Sequence, residues 1–293
     1  MALGGGSVLD AAKGIALLVG NPDATAADAD DLWEAADDYR SVAIPHHLRH
    51  RRRNRSQRVI EDTAAARKMY IGHPSVKPRA SPLLCSTRRL TLGTARSPAT
   101  AATGIDALVH GVESLASRGA NPVSTAYATQ AVAMVSRALP AAYADGSDLD
   151  ARAELMLGAH LAGQALTLSG LGLVHGIGHA LTAHTGTPHG VALAAVLEEV
   201  MEFNAPAARD AYEQVARAMR LAPPADGDWA RTAIEGVREL AGTVDVKRPL
   251  RTLGADRDML PSIATGAVAD AVTKNNPLPP DHTQVLDILT ATY

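Results

Sequence analysis

Apolar positions change rhythm along the chain near residue 97. After Ser7, the residues Val8, Leu9, Ala12, Ile15, Ala16 and Leu18 recur at the spacing of one helix face. Ser7 and Asp10 stand at capping-box spacing, with Asp where Glu is usual, and Gly20-Asn21-Pro22 ends the pattern. The acidic stretch from Asp23 to Asp38 reads as solvated helix and loop. Ser41 to Pro45 and Met69 to Ile71 predict short strands, the first ended by its proline. From Pro74 to Pro98 the periodicity is weak and proline and arginine are scattered, so irregular structure is expected. Beyond Pro98, long alanine- and leucine-rich patterns of helical period run to Tyr293. A domain boundary falls near Ser97, and no internal repeat is visible.

Composition bounds the class. The chain has 293 residues, 46% apolar and 20% charged, which excludes a disordered or fibrous protein and allows one large domain or two ordinary ones. Aromatics make up only 3%, so the core must be built from Leu, Val, Ile and Ala. A net charge of −3 argues against general attraction to nucleic acid or membrane. The basic run from Arg49 to Arg58 differs from its surroundings, and a solvated loop is the expectation there rather than a nucleic-acid patch. The lone cysteine, Cys85, excludes an intrachain disulfide and suits a reducing compartment; with no signal-peptide pattern at the start, a cytoplasmic location is expected.

One stretch changes this picture. From Leu155 to Leu197 there is no Asp, Glu, Lys or Arg, yet five histidines, a Gln, a Pro and many glycines interrupt it. A lipid span tolerates unpaired polar groups poorly, so a buried polar site inside a soluble protein is the better expectation. His175 and His179 lie four apart on one helix face, and Pro188 is expected to break that helix and set His189 at the entrance of the next. His160 and His184 are close in sequence. Upstream, Asp106 and His110 have the same four-residue spacing, set among Ala, Gly, Leu and Val rather than solvent-facing residues. Asp106, His110, His175 and His189 would offer one carboxylate and three imidazoles, a set suited to Fe(II), Zn(II), Ni(II) or Mn(II) without choosing between them. His179 is left over, one turn from His175, near the metal without needing to bind it. At the start, Gly4-Gly5-Gly6-Ser7 running into a helix could cradle a phosphate, although such a turn is more often only a turn.

These residues together resemble the iron-containing (group III) alcohol dehydrogenases. Gly4-Gly5-Gly6-Ser7-Val8-Leu9-Asp10-Ala11-Ala12-Lys13 is similar to that family's pyrophosphate motif. Thr103 to His110 resembles its first metal helix, and Gly172 to Gly176 with Thr187 to Ala192 resembles its second metal segment. Arg67-Lys68-Met69, His73 to Pro78 and Asn275 to Pro279 also match. The fourteen-residue gap from His175 to His189 points to the alcohol dehydrogenase branch rather than to the related dehydroquinate synthases and glycerol dehydrogenases. The resemblance implies an α/β plus all-α fold of dehydroquinate synthase-like architecture: a partial Rossmann-like NAD(P)-binding domain over 1–97, then an all-helical metal-binding domain over 98–293. It implies Fe(II) or Zn(II) held by Asp106, His110, His175 and His189, and His179 as catalytic proton relay. NAD(P) would lie against Gly5, Gly6 and Ser7, with Asp10 near the nicotinamide and Lys68 near its ribose. The substrate would be a small alcohol or aldehyde, with no nucleic acid and no membrane as partner and a homodimer as an expected assembly. A metal hydrolase is the weaker reading, because hydrolysis has no need of the glycine turn.

Two departures from the family carry further expectations. The chain starts at the glycine turn, which reads as loss of the family's first strands and helices and leaves that turn without a strand to feed it. His46 to Gln57 stands where the family has a Thr- and Gly-rich loop, and Ser81 to Pro98 departs similarly; both read as local frame shifts. Weak or absent dehydrogenase activity is therefore expected, with an inactive metal-binding helical remnant as the rival to an active enzyme.

Overall fold

The computed structural model describes residues 97–293 and the backbone of four short strands before them. The strands are β1 (Ala2–Gly4), β2 (Ala43–Pro45), β3 (Gln57–Asp62) and β4 (Arg67–Gly72). β1 and β2 pair in parallel, Leu3 opposite Ile44, and β3 and β4 pair antiparallel, Val59 opposite Tyr70. Three expectations change here. The glycine turn does have a strand feeding it, since β1 ends on Gly4. The strand expected at Met69 to Ile71 extends to Arg67–Gly72. The end of the basic run is not loop, because Gln57 and Arg58 open β3, where extended Val59 and Ile60 follow. The helix expected after Ser7, the acidic stretch from Asp23 to Asp38, and the irregular stretch before Ser97 lie outside the described residues.

From Ser97 on, the described residues are helical. Nine α-helices follow: α1 (Ser97–Ala116), α2 (Pro122–Ala144), α3 (Leu149–Ser169), α4 (Leu173–Thr185), α5 (His189–Asn204), α6 (Arg209–Ala218), α7 (Trp229–Thr243), α8 (Leu260–Ala269) and α9 (His282–Ala291). Short 3-10 turns separate the last of them, including Ala271–Asn275. Local sequence sets these boundaries. Asn121 caps α2 in a reciprocal pair with Ser124, Asp148 caps α3, and Asp281 with Gln284 caps α9. The break after α4 differs from expectation. Gly186, in the left-handed region at φ +69, closes the helix through its N–H to the Thr182 carbonyl, and Pro188 instead serves as N-cap of α5.

Helix α1 packs against α2, α3, α5 and α6, while α4 packs against α5 and α8. Ile105, Leu108 and Val109 of α1 are fully buried, and the core continues through Val132, Val135, Leu155, Ile177, Leu193, Val196 and Val237. This is the small aliphatic core that a 3% aromatic content requires. The uncharged stretch is divided over α3, α4 and α5. Among the described residues no single helix is long and apolar enough to cross a membrane; α3 and α4 reach that apolar length only together, across a 105° bend.

Candidate metal centre

Helix α1 carries Asp106, His110 and Glu113 at i, i+4 and i+7, hence on one face. Helix α4 carries His175 and His179, and α5 begins on His189. Packing α4 and α5 together, with α5 across α1, brings these side chains to one point. His110 Nε2 lies 3.3 Å from Asp106 Oδ1, His175 Nε2 lies 3.5 Å from that same oxygen, and His189 Nε2 lies 3.8 Å from it. The His110 and His175 Nε2 atoms are 3.1 Å apart. Asp106, His110 and His175 each offer a ligand atom within 4.8 Å of the others, and His189 joins them through Asp106. Four ligands held at about 2.1 Å around a tetrahedral ion stand about 3.4 Å from one another. The separations among Asp106, His110 and His175 bracket that value, so these three donors fit a single divalent cation in chemistry and in spacing, and His189 Nε2 stands beside them, 3.8 Å from Asp106 Oδ1.

The fit depends on two close backbone approaches. A Cβ at Gly190 would stand 1.9 Å from the Ala102 carbonyl oxygen, so only glycine lets α5 cross α1 this closely and carry His189 to Asp106. A Cβ at Gly172 would stand 2.7 Å from Asn276 Oδ1 and 3.2 Å from Glu113 Oε1. Gly172 is the N-cap of α4 and offers no side-chain oxygen to the helix's first N–H groups. Distant residues supply them. The Leu173 N–H donates to Asn276 Oδ1 at 3.0 Å. The Val174 and His175 N–H groups donate to Glu113 Oε1 at 2.7 and 3.4 Å. Asn276 is held by a reciprocal amide pair with Asn204 at 2.7 and 3.1 Å. Tyr212 is buried beside this pair, and burial, reinforced by the charge of Glu113, pushes its hydroxyl well above its ordinary range despite the opposing effect of Asn204.

Around this point the histidines differ in their second nitrogen. His175 Nδ1 meets Glu113 Oε2 at 2.5 Å, and His179 Nδ1 meets Asp270 Oδ2 at 2.8 Å. The His179 ring stacks on His189 with centroids 5.4 Å apart and stands edge-on to His175 at 5.8 Å. The side chain of His175 is 0% exposed, that of His179 3% and that of Asp270 10%, so the path from centre to Asp270 leads outward.

The structure thus gathers Asp106, His110, His175 and His189, and sets His179 beside them. His184 does not join, because its Nδ1 meets the Ala180 carbonyl one turn back at 2.8 Å. His160 stays half-buried on α3. Lys68 lies on β4, which runs against α4, the helix of His175 and His179. Gly5, Gly6, Ser7 and Asp10 lie outside the described residues. Two residues were missed in the sequence, Glu113 and Asp270. Glu113 had a signal, since it extends the Asp106-His110 face by one turn. Asp270 had none, as 91 positions separate it from His179.

One carboxylate and three imidazoles converging between helices define, by donor set and spacing, a candidate mononuclear metal centre. Residues 100–293 match the family model described as Fe-containing alcohol dehydrogenase family, C-terminal, and the chain belongs to that family. It is an oxidoreductase of the alcohol dehydrogenase type, and iron and NAD(H) are the cofactors of the family. The chain is 36% identical over 291 residues to Probable alcohol dehydrogenase EutG of Escherichia coli, spanning 99% of this chain and 72% of that one. It is 32% identical over 283 residues to lactaldehyde reductase of Escherichia coli, spanning 94% and 72%. The iron-containing alcohol dehydrogenase structure from Thermococcus thioreducens superposes with a TM-score of 0.85 at 28% identity, covering 100% of this chain and 76% of that one.

Proposed function

We propose that this chain interconverts a small primary alcohol and its aldehyde by hydride exchange with a nicotinamide cofactor at the centre built by Asp106, His110, His175 and His189. The observation that carries the reading is the convergence of three imidazole nitrogens on Asp106 Oδ1, between 3.3 and 3.8 Å. Fe(II) or Zn(II) held there would supply Lewis acidity towards an alcohol oxygen, and a nicotinamide would supply hydride chemistry. The protein's own residues do the rest. Asp106, His110, His175 and His189 would hold the ion and so set where the alcohol oxygen meets it. Asp270 accepts a hydrogen bond from the Nδ1–H of His179, so the nitrogen that exchanges a proton with the substrate hydroxyl is Nε2. The neighbouring His175 and His189 rings and the aliphatic core behind them exclude bulk water.

The same reading takes 1–97 as an α/β nicotinamide-binding part and 98–293 as the helical metal domain. The parallel β1–β2 pair ending on Gly4 supports the first, and the packing of β4, with Lys68, against α4 supports a cofactor cleft between them. Gly5, Gly6 and Ser7 would meet the pyrophosphate, with Asp10 towards the nicotinamide. A cytoplasmic location and a homodimer belong to this reading, the lone Cys85 suiting a reducing compartment.

The test is anaerobic reconstitution with Fe(II) or Zn(II), titration with NADH and NADPH by fluorescence, and a survey of short primary alcohols and diols for NAD(P) reduction. Saturable cofactor binding with metal-dependent reduction is expected. A protein that holds metal but neither binds the cofactor nor oxidises any alcohol would contradict the reading.

A further inference from the structure

We propose that Glu113 is a positioning residue that selects the metal-binding tautomer of His175, an inference that rests on the metal centre proposed above. Three observations converge on this one carboxylate. It sits on the α1 face that carries Asp106 and His110, and it is 6% exposed. Its Oε1 accepts the Val174 and His175 N–H groups at the start of α4, which fixes the backbone of His175. Its Oε2 lies 2.5 Å from His175 Nδ1. A carboxylate only accepts, so the ring proton must stand on Nδ1. The lone pair is then on Nε2, the atom that faces Asp106 Oδ1 at 3.5 Å and His110 Nε2 at 3.1 Å. Metal ligation by imidazole requires that lone pair, and the partner of the other ring nitrogen decides whether it is there.

The arrangement makes an isosteric change informative. In Glu113→Gln the amide oxygen must face the two backbone N–H groups, because an NH2 there would oppose donor to donor. The NH2 is thereby turned towards His175 Nδ1 and can only donate to it. That moves the ring proton to Nε2 and aims an N–H into the position of the ion. The shape and the cap of α4 are kept while the ligand is lost. A residue that merely capped the helix would be replaced by Gln at little cost.

The experiment compares full-length wild type and Glu113→Gln for Zn(II) affinity by chelator competition, for helix content by circular dichroism, and for the His175 tautomer by nitrogen-15 NMR. The His175 signals are identified by their absence from His175→Gln. Expected are an unchanged helix content, Zn(II) binding at least roughly tenfold weaker in Glu113→Gln, and a His175 proton that moves from Nδ1 to Nε2. Wild-type Zn(II) affinity in a folded Glu113→Gln would overturn the proposal. Should that variant fail to fold, the metal-free wild type still decides: a proton on Nδ1 of His175 supports the proposal and one on Nε2 overturns it. Failure of wild type to bind any metal would instead remove the centre itself, and the tautomer measurement keeps the two outcomes apart.

Discussion

His179 and Asp270 form a dyad whose two members act differently from the four converging donors. His179 stands one turn from His175, yet its Nδ1 is taken by Asp270 at 2.8 Å, and its ring stacks on His189 rather than closing on Asp106. The account therefore predicts that His179→Ala keeps the metal and lowers kcat by 10²–10⁴-fold, the usual worth of a placed acid–base group. Asp270→Asn should also keep the metal and lower kcat, by a smaller factor, because the His179 ring loses the carboxylate that holds its Nδ1–H. Metal analysis beside steady-state rates checks both; loss of metal in His179→Ala would make it a ligand and refute the relay. At this scale, spacing in the sequence exposes residues that share a helix face. Asp106 with His110, and His175 with His179, are legible because i, i+4 pairs in an uncharged setting are hard to explain otherwise. Glu113 shares that helical period with Asp106 and His110, but its pairing with His175, 62 positions away, is not encoded in it, and Asp270, 91 positions from His179, has no local signal at all.

Helices place these side chains only because their axes come unusually close where glycine permits it. Gly190 follows His189, and its absent Cβ leaves room for the Ala102 carbonyl. Gly190→Ala should push the start of α5 off α1, draw His189 away from Asp106, and destabilise the fold by at least about 1–3 kcal/mol, the usual cost of overpacking. Thermal unfolding and metal titration of the same variant check this; unchanged metal affinity would show that the crossing does not position His189. Helix identity after Ser97 was legible from its Ala/Leu period, and the start of α5 from Pro188. The end of α4 is set not by Pro188 but by a left-handed Gly186 two residues earlier, whose N–H closes on the Thr182 carbonyl. The strand at Ala2–Gly4 was missed because three residues carry no measurable period, and its existence depends on pairing with Ala43–Pro45 far along the chain.

Over the whole molecule, the centre joins elements from both ends of the helical part. Asp106 lies on α1, His189 on α5, and Asp270 on the turn after α8, with Asn276 capping α4 from the same late segment. An ion that binds only this assembled arrangement must stabilise it by linkage, by about 2.7 kcal/mol at a hundredfold excess over Kd. That corresponds to a Tm higher by roughly 5–10 °C for a helical part of this size. A scanning calorimetry series with rising Zn(II) should show this rise, and a flat series would mean that the ion does not bridge the helices. The overall arrangement was legible in the sequence only through the family resemblance of its motifs; composition and period alone gave helices without saying which of them meet. The most direct measurement of the central claim is elemental analysis of anaerobically reconstituted protein, wild type beside His175→Ala. The account predicts one divalent ion per chain in wild type and little or none in His175→Ala at unchanged helix content. Full metal occupancy in a folded His175→Ala would contradict it.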